Sequence, residues 1–389
     1  MEVNQNAVGE KLKVAIIEPV GGHGGMDYYD FGLSEGLAAS GVDVALHTCD
    51  ETEAVSKEGF KVVHSYKGVY GKDVAWKRGL RFVWGSIKAI AAAVAEQRKV
   101  CHFHFFHVGI LEAFNVALAK LCFRKVVITA HDVESFVESL SVPRLSRWVY
   151  RIADGVVAHN QISKSELIEK LGLPSGKIAV IPHGNYLHML GDMPEQDQAR
   201  KELGLPKAVQ VLLFFGQIKD VKGLDILLEA MPEVLKEHPN TILLIAGRPW
   251  KSDFSKYENM MTSLNISHAC STHIRFIKDE EVPLFYAACD LVVLPYRRIY
   301  QSGVVLLSMS YEKPVLVSDL AGMLEVVRDK ENGFVFKQND PKSLSGKINM
   351  ILQDMEECDV VTIKALSDMK GHYSWVEIGK KTKKLYENI

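Results

Sequence analysis

The chain has 389 residues, and its 46 lysines and arginines against 48 aspartates and glutamates give a formal net charge of -2. This balance provides no overall positive charge that would favour nucleic acid as a partner. Hydrophobic residues make up 47% and charged residues 24%, which is ordinary globular usage and excludes a mainly disordered, collagen-like or coiled-coil chain. The length predicts two domains, each large enough to bury its own core.

The cysteines and the chain start bear on the compartment. The six cysteines are scattered without Cys-x-x-Cys spacing, which disfavours a disulfide framework or a zinc knuckle. The first eleven residues are polar, and no stretch reaches 18 apolar residues. We therefore expect a reduced, cytoplasmic protein with neither a signal segment nor a membrane span.

The first half of the chain alternates short apolar runs with longer helical patterns. Helices are predicted over Tyr29–Ser40 and Ser163–Leu171, the second with Ser163 as N-cap and Glu166 completing a capping box. The predicted strands are Lys13–Ile17, Val42–Leu46, Val62–Ser65, Val100–Phe105, Lys125–Ala130, Gly155–His159 and Ile178–Ile181. Such strands, apolar on both faces, predict a parallel sheet covered by helices on both sides.

Residues 182–194 interrupt this pattern and predict a linker, after which a second series begins. Its helices are predicted over Leu224–Glu237 and, at the chain end, Ser374–Asn388. Its predicted strands are Val209–Phe215, Thr241–Ala246, Ile274–Ile277, Leu291–Leu294, Pro314–Ser318 and Gly333–Phe336. We expect an α/β protein with Rossmann-like βαβ domains over residues 1–190 and 191–370. Ligands of such domains bind at the carboxyl ends of the strands, here in a cleft between the two domains.

A glycine-rich turn, Gly21–Asp27, joins the first strand to the first helix. Its four glycines allow the backbone to approach a ligand closely, and the following helix offers free N–H groups to an anion. The dinucleotide fingerprint is broken, because Asp27 replaces its third glycine and no acidic residue closes the second strand. A tight turn without a ligand remains the alternative.

Two segments of the second half suit a phosphate. Lys219 and Lys222 stand between a strand and a helix, where ammonium groups can meet a diphosphate; a solvated loop is the alternative. Gln301, Ser302 and Gly303 directly precede an apolar helix predicted to end near Tyr311. The free N–H groups at the start of that helix would point a partial positive charge at a phosphate.

Motifs distributed along nearly the whole chain resemble those of a known protein family. They are the Gly-rich turn, TAHD at 129–132, IPHG at 181–184, FFGQIKDVKGLDILLEA at 214–230, AACDLVVLPY at 287–296, SGVVLLSMSYEKPVLVSDLAG at 302–322 and SWVEIGKKTKKLYENI at 374–389. In this order they resemble the family-4 retaining glycosyltransferases. That resemblance implies the GT-B fold, with a donor cleft between two Rossmann-like domains and a final helix, within 371–389, that crosses back to the first domain.

The resemblance also implies roles for single residues. Gly24 and Gly25 match glycines that approach the donor diphosphate, His131 matches a histidine at the sugar, and Lys222 matches the diphosphate lysine. Lys219 stands for a companion arginine of the family, or that role shifts to Gln217.

The chain departs from the family in its third motif. The paired glutamates that many members carry would fall at Ile299 and Leu307, and both are missing. We therefore expect Gln301, Ser302, Gly303 and Val304 to take over donor contacts. Glu325 is then the nearest surviving carboxylate candidate.

The function implied is a metal-independent retaining glycosyltransferase, with His131, Lys222 and Gln301 as catalytic residues. It would use a UDP- or GDP-sugar as substrate, a glycan or lipid-linked acceptor, and no resident cofactor. No Asp-x-Asp occurs in the chain, so a metal-held diphosphate is not expected. Because both glutamates are missing, a catalytically silent nucleotide-sugar-binding protein is the alternative. The broken fingerprint disfavours a nicotinamide-dependent oxidoreductase.

Three further segments each allow two interpretations. CHFHFFH at 101–107 has metal-like spacing, but His102 and His104 share one face of a predicted strand, which favours buried or cleft-lining histidines. The segments 76–88 and 141–151 combine tryptophans with lysines and arginines. They indicate either contact with the inner face of an anionic membrane or solvated amphipathic helices whose aromatic residues lie in the core.

Overall fold

The computed structural model describes residues 11–24, 26–57, 59–131, 143–250, 253–299 and 301–389. The chain divides into two compact units. The N-terminal unit comprises Met1–Gly184 together with Tyr373–Ile389, and the C-terminal unit comprises Asn185–His372. The division after Gly184 falls inside the segment predicted as a linker. The chain end, predicted to cross back, is part of the N-terminal unit.

The N-terminal unit is built on an eight-stranded sheet of order β3-β4-β2-β1-β5-β6-β7-β8, parallel except for β3. Its strands are β1 Lys13–Ile17, β2 Asp43–Cys49, β3 Ser56–Lys57, β4 Phe60–Tyr66, β5 Val100–Phe105, β6 Lys125–Ala130, β7 Gly155–Ala158 and β8 Ile178–Val180. Its helices are α1 Asp27–Ala39, α2 Ala75–Ala95, α3 Ile110–Leu121, α4 Pro143–Ile152 and α5 Gln161–Leu171. Apolar residues on both faces of this sheet form two cores beneath the helices.

The C-terminal unit contains a six-stranded parallel sheet of order β11-β10-β9-β12-β13-β14. Its strands are β9 Gln210–Phe215, β10 Thr241–Ala246, β11 Cys270–His273, β12 Leu291–Leu294, β13 Val315–Ser318 and β14 Phe334–Phe336. Its helices are α6 Gln196–Glu202, α7 Leu224–Glu237, α8 Ser255–Ser263, α9 Val282–Ala288, α10 Gly303–Ser310, α11 Ala321–Leu324, α12 Pro341–Gln353 and α13 Met355–Lys370. The two parallel sheets confirm the predicted Rossmann-like α/β class.

The last helix, α14 Trp375–Glu387, packs against α1 within the N-terminal unit. Two glycines permit the close approach of the two helix backbones. A Cβ added to Gly36 would lie 1.9 Å from the Trp375 carbonyl oxygen, and one added to Gly379 would lie 2.2 Å from Gly36. The chain end is therefore an integral layer of this unit rather than an appendage.

Two local predictions are wrong. The strand expected at Ile274–Ile277 lies earlier, at Cys270–His273, because those residues pair with Leu243–Ala246 of β10, and the chain then passes beyond the end of that partner. The N-cap of α5 is Asn160, whose side chain accepts a hydrogen bond from the Ser163 N–H at 2.7 Å. Ser163 instead lies inside the helix, so the predicted capping box does not form.

None of the helices in the described ranges has the length and apolar character needed to cross a membrane.

Candidate functional site

Lys222 lies at the carboxyl end of the C-terminal sheet. It ends a short 3-10 turn, Asp220–Lys222, between β9 and α7. Its ammonium group is half-buried and stands 3.7 Å from the centre of the Tyr296 ring. Within the described part of the chain no carboxylate pairs with this ammonium group. A positive charge in this setting is available to an anionic ligand.

The backbone that carries Lys222 is tightly fixed. Gly223 has a φ of +68°, and a Cβ there would lie 1.9 Å from the Pro295 carbonyl oxygen, so only glycine fits. The Arg297 guanidinium binds both Asp225 carboxylate oxygens, at 2.6 and 2.7 Å. This ion pair lowers the pKa of Asp225, chiefly through its hydrogen bonds, against the opposing effect of burial. The loop after β12 is thereby held against the start of α7.

Lys219 lies three residues before Lys222 in the same loop. Its ammonium group stands 5.0 Å from the centre of the Trp250 ring, on the loop that follows β10. The ammonium groups of the two lysines therefore face different aromatic rings. The structure places both at the carboxyl end of the same sheet, as predicted from the sequence.

The predicted third motif forms the start of α10. Ser302 is the N-cap residue, 7% exposed, and its hydroxyl oxygen is buried without a hydrogen-bond partner in the described ranges. Gly303 is the first helical residue, and a Cβ added to Gly216 at the end of β9 would touch Val304 at 3.5 Å. The helix start therefore lies beside the strand end from which the Lys222 loop departs. Gln301, half-buried, directly precedes the N-cap.

Glu325 follows α11 as its C-terminal capping residue and is exposed. It lies in the segment between β13 and β14. That segment, like those that contain Lys222 and Gly303, connects two strands of the C-terminal sheet.

The glycine-rich turn of the N-terminal unit serves packing as well. It is a 3-10 turn over Gly21–Gly24, and Gly25 lies outside the described residues. A Cβ on Gly21, whose φ is +47°, would meet the Thr52 hydroxyl at 2.1 Å, and one on Gly22 would meet the Glu51 carbonyl at 2.7 Å. These two glycines are thus required by contacts within the protein. Gly24, one of the two glycines expected to approach the donor diphosphate, ends the turn.

His131 directly follows β6, and its N–H donates to the Phe105 carbonyl oxygen. Its Nδ1 stands 3.3 Å from His159 Nε2, and its ring contacts Tyr29 edge-on at 4.7 Å between centroids. Its Nε2 is buried and has no partner in the described ranges. Burial, assisted by the neighbouring histidines, holds the pKa of His131 well below its usual range. The ring is therefore neutral at physiological pH, and among the described residues nothing bonds to its Nε2.

Four further histidines lie around His131, at the ends of neighbouring strands. The rings of three of them, His104, His159 and His183, contact the Tyr29 ring. Burial lowers the pKa of His104 and His183 to about 4 and that of His159 to about 3. Buried His102 bonds through its ring nitrogens to Tyr386 and Thr129. The prediction that His102 and His104 are buried is consistent with these contacts. In the described ranges no group of three or more His, Cys, Asp or Glu residues is arranged to hold a metal ion.

Asp30 and His104 form a buried pair that was not predicted from the sequence. The distance between His104 Nδ1 and Asp30 Oδ1 is 2.9 Å. Beside this pair, Glu18 is fully buried, and burial followed by the nearby Asp30 charge raises the pKa of Glu18 to about 8. A sequence signal existed, because Glu18 directly follows four apolar strand residues and Asp30 lies among apolar residues of α1. Each residue alone is nevertheless indistinguishable from an exposed carboxylate at an element end.

Comparison with known proteins gives the family. A model described as glycosyl transferases group 1 matches residues 195–367, and one described as glycosyltransferase family 4 matches residues 23–185. Together these matches span most of the chain. The chain belongs to the family-4 glycosyltransferases. Its two sheet units are the two Rossmann-like halves of the GT-B fold.

Curated relatives of this glycosyltransferase are distant. An uncharacterized glycosyltransferase of Methanocaldococcus jannaschii is 27% identical over 237 residues, which span 60% of this chain and 59% of that protein. A D-inositol 3-phosphate glycosyltransferase of Nocardioides sp. is 26% identical over 393 residues, which span 94% of this chain and 85% of that protein. The aligned region thus covers less than two thirds of the first relative.

Solved structures share the fold over nearly the full chain. Anabaena HepE in complex with UDP matches 97% of this chain and 100% of that chain, with a TM-score of 0.75 and 18% identity. The match to sucrose-phosphate synthase from Thermosynechococcus elongatus covers 97% of this chain and 99% of that chain, with a TM-score of 0.73 and 18% identity. At such identities the likeness establishes the GT-B fold and no more.

Proposed function

We propose that this protein is a retaining, metal-independent glycosyltransferase that moves a sugar from a UDP- or GDP-sugar to a glycan or lipid-linked acceptor. The observation that carries the proposal is Lys222, a half-buried ammonium group without a carboxylate partner in the described ranges. It lies at the carboxyl end of the C-terminal sheet, near the start of α10. Positive charge and free N–H groups there suit the diphosphate of a nucleotide sugar.

The relatives support the donor class. Anabaena HepE, which shares the fold, has been crystallised with UDP-glucose. We therefore place a uridine or guanosine diphosphate sugar on the C-terminal unit, with Lys222, Lys219, Ser302, Gly303 and Val304 around its diphosphate. The further donor contacts assigned to Gly24, Gly25 and Glu325 are part of the same proposal.

The proposed reaction breaks the bond between the sugar C1 and the diphosphate oxygen, and the electron pair stays on the leaving diphosphate. The acceptor oxygen forms its bond to C1 on the same face, so the anomeric configuration is retained. The acceptor proton passes to the departing diphosphate oxygen. Lys222 stabilises the charge that develops there, which removes the need for a metal ion.

His131 and Gln301 are proposed to hold the transferred sugar. A neutral His131 can hydrogen-bond to a sugar hydroxyl through Nε2, which has no partner in the described ranges. The Gln301 amide offers both a donor and an acceptor. Neither group needs to change its protonation state for these contacts.

The test is release of nucleoside diphosphate from a panel of UDP- and GDP-sugars, with and without acceptor glycans, followed by NMR of the product anomer. We expect transfer with retention, unchanged by a chelator. Binding of the nucleotide sugar without transfer to any acceptor would favour the catalytically silent alternative. Activity abolished by a chelator and restored by manganese would contradict metal independence.

Helix α2 supports peripheral contact with an anionic membrane, which would suit a lipid-linked acceptor. Trp76, Leu80 and Trp84 recur every four residues and are 64%, 61% and 58% exposed. Phe82 packs instead against the core, so the structure divides the aromatic residues between the two sides of the helix. The helix contains four lysines and arginines and no acidic residue. Exposed tryptophans beside cations suit an anionic lipid surface, and we propose that the protein acts at the cytoplasmic face of such a membrane.

The membrane proposal is tested by co-sedimentation with vesicles of phosphatidylcholine, with or without phosphatidylglycerol. The parent protein should bind the anionic vesicles, and the Trp76→Ser, Trp84→Ser double variant should not. Phe123→Ser is the matched control, because Phe123 is 92% exposed elsewhere in the same unit. Equal binding by the double variant and the parent would contradict this role for α2.

A further inference from the structure

The N-terminal unit contains a small, partly open cavity of about 80 Å³ at the carboxyl ends of β1 and β5. Most of its wall is apolar or aromatic, and it includes Tyr70, Phe82, Phe105 and Phe106. A largely apolar pocket with a few converging polar groups is the usual form of a small-molecule site.

Two buried polar atoms at this cavity have no partner in the described ranges. They are Nε2 of His104, a residue 3% exposed, and Oδ1 of Asn115, a residue 1% exposed. The other ring nitrogen of His104 is held by Asp30 at 2.9 Å, which fixes the orientation of the ring. A buried polar atom without a partner destabilises the protein, and a hydrogen bond to a ligand hydroxyl group would remove that cost.

Glu18 adds a third polar group to the cavity wall. It accepts hydrogen bonds from the backbone N–H groups of Val20 and Gly21, which fix its carboxyl group. Burial, followed by the charge of Asp30, raises the pKa of Glu18 to about 8, so at pH 7 it is mainly a neutral acid. Glu18 also forms a side-chain hydrogen bond with Asp30, so it adds a fixed, mainly uncharged polar group to the cavity wall.

Charge decides which ligand suits this cavity. In the described ranges no lysine or arginine lines it, whereas Glu112 does. Burying a phosphate dianion here would leave its charge uncompensated, at a large cost in free energy. Hydroxyl groups, by contrast, can both donate and accept hydrogen bonds, and the apolar edge of a sugar can pack against the aromatic wall.

We propose that this cavity binds an uncharged, hydroxyl-bearing part of the acceptor and rejects phosphorylated acceptors, with His104, Asn115 and Glu18 as the selecting residues. This inference rests on the proposed transferase function and specifies its acceptor class as a neutral sugar. The volume admits a hydroxymethyl group or one edge of a sugar ring rather than an oligosaccharide.

The test is binding of methyl glucoside, galactoside and mannoside, each compared with its 6-phosphate, to the full chain by saturation-transfer NMR and calorimetry. At least one neutral glycoside should bind, and its 6-phosphate should bind at least tenfold more weakly. Asn115→Leu and His104→Phe should each weaken the neutral glycoside about tenfold.

Asn349→Leu is the matched control, because Asn349 is also a helical asparagine, 7% exposed, with an unpartnered Oδ1, and it lies in the C-terminal unit. Its glycoside binding should equal that of the parent. Tighter binding of a phosphorylated glycoside, no binding of any neutral glycoside, or no effect of either cavity variant would overturn the proposal. UDP and GDP titrations on the same samples report the donor site separately, so that loss of the proposed function is recognised independently.

Discussion

At the scale of single residues, the environment of Lys222 differs from that of an ordinary surface lysine. Its ammonium group faces the Tyr296 ring, whereas Lys256 close by pairs with Asp220 at 3.0 Å and is more than half exposed. Sequence alone left Lys222 between a ligand contact and a solvated side chain. The half-buried position, and the absence of a counter-charge within the described ranges, favour the ligand contact.

We predict that Lys222→Ala weakens nucleoside diphosphate binding by about 1.5–3 kcal/mol, roughly 10- to 150-fold, because a charge-assisted hydrogen bond is lost. Calorimetry with UDP and GDP measures the effect. Lys256→Ala is the matched control and should bind like the parent. An unchanged affinity of the Lys222 variant, with its fold intact, would remove this residue from the donor site.

Gln301 provides a second residue-scale prediction. Gln301→Ala should lower turnover with the sugar nucleotide at least tenfold while affecting the affinity for the bare nucleoside diphosphate less than threefold. The amide is proposed to contact the sugar, which the bare diphosphate lacks. Steady-state kinetics and calorimetry on one preparation separate the two effects. Parent-like turnover would mean that the sugar is held elsewhere.

At the scale of elements, contacts at the first residue of a helix affect its position. At α10, a Cβ on Gly303 would lie 2.7 Å from the Tyr186 hydroxyl oxygen, so this side chain would have to shift. Substitution at this position would displace the helix start that is proposed to hold the phosphate.

We predict that Gly303→Val abolishes donor use while the protein stays folded. Gly303→Ala combined with Tyr186→Phe relieves the contact with the hydroxyl group and should recover part of the activity. Transfer rates and circular dichroism are the measurements. Full activity of Gly303→Val would show that the start of α10 does not form the donor site.

The contact between α1 and α14 gives another element-scale prediction. Gly36→Ala should destabilise the protein by roughly 1–3 kcal/mol, because the new Cβ would overlap the Trp375 backbone. Gly346→Ala is the matched control, since Gly346 lies in α12 with no atom within 4 Å of the added Cβ, and it should be neutral or stabilising by up to about 1 kcal/mol. Urea denaturation measures both. Equal stability of the two variants would contradict the tight contact.

At the scale of the whole molecule, buried titratable groups are concentrated in the N-terminal unit. The lowered pKa values of His104, His159 and His183 mean that their contribution to folding is full above about pH 6.5 and is lost as pH falls through 4 to 3. Glu18 acts in the opposite direction. Its contribution is full below about pH 4.5 and is lost as pH rises through 8.

We therefore predict that this unit is most stable near pH 6.5. Between pH 6.5 and 5 the three histidines lower the free energy of unfolding, whereas Glu18 raises it. Each histidine should lower the free energy of unfolding by roughly 1–2 kcal/mol. Above pH 6.5 the loss should come from Glu18 and from Asp30, whose pKa burial also raises well above its usual range, so Glu18→Gln should reduce it in part. Hydrogen exchange of peptides from β5 and β6 at pH 5, 6.5 and 8 reports this unit alone. Protection that does not change with pH would contradict the prediction.

Local sequence determined the elements whose pattern is self-sufficient. The strands Lys13–Ile17, Val100–Phe105 and Thr241–Ala246 coincide with their predicted bounds, because short, mainly apolar runs between turn residues have few other solutions. The family was likewise readable from motifs distributed along the chain. The predicted strand at Ile274–Ile277 failed because strand bounds also depend on where the partner strand ends.

The sequence by itself thus determined the α/β class, the two-domain order and the residues that precede the helices of the C-terminal unit. Only the tertiary structure decided that Trp76 and Trp84 face outward while Phe82 faces the core, since the helical pattern alone fits either orientation. It also brought Glu18, Asp30 and His104 together from three separate elements. Burial and charge act through space, and distances between elements are set by packing, so these properties could not be read from neighbours along the chain.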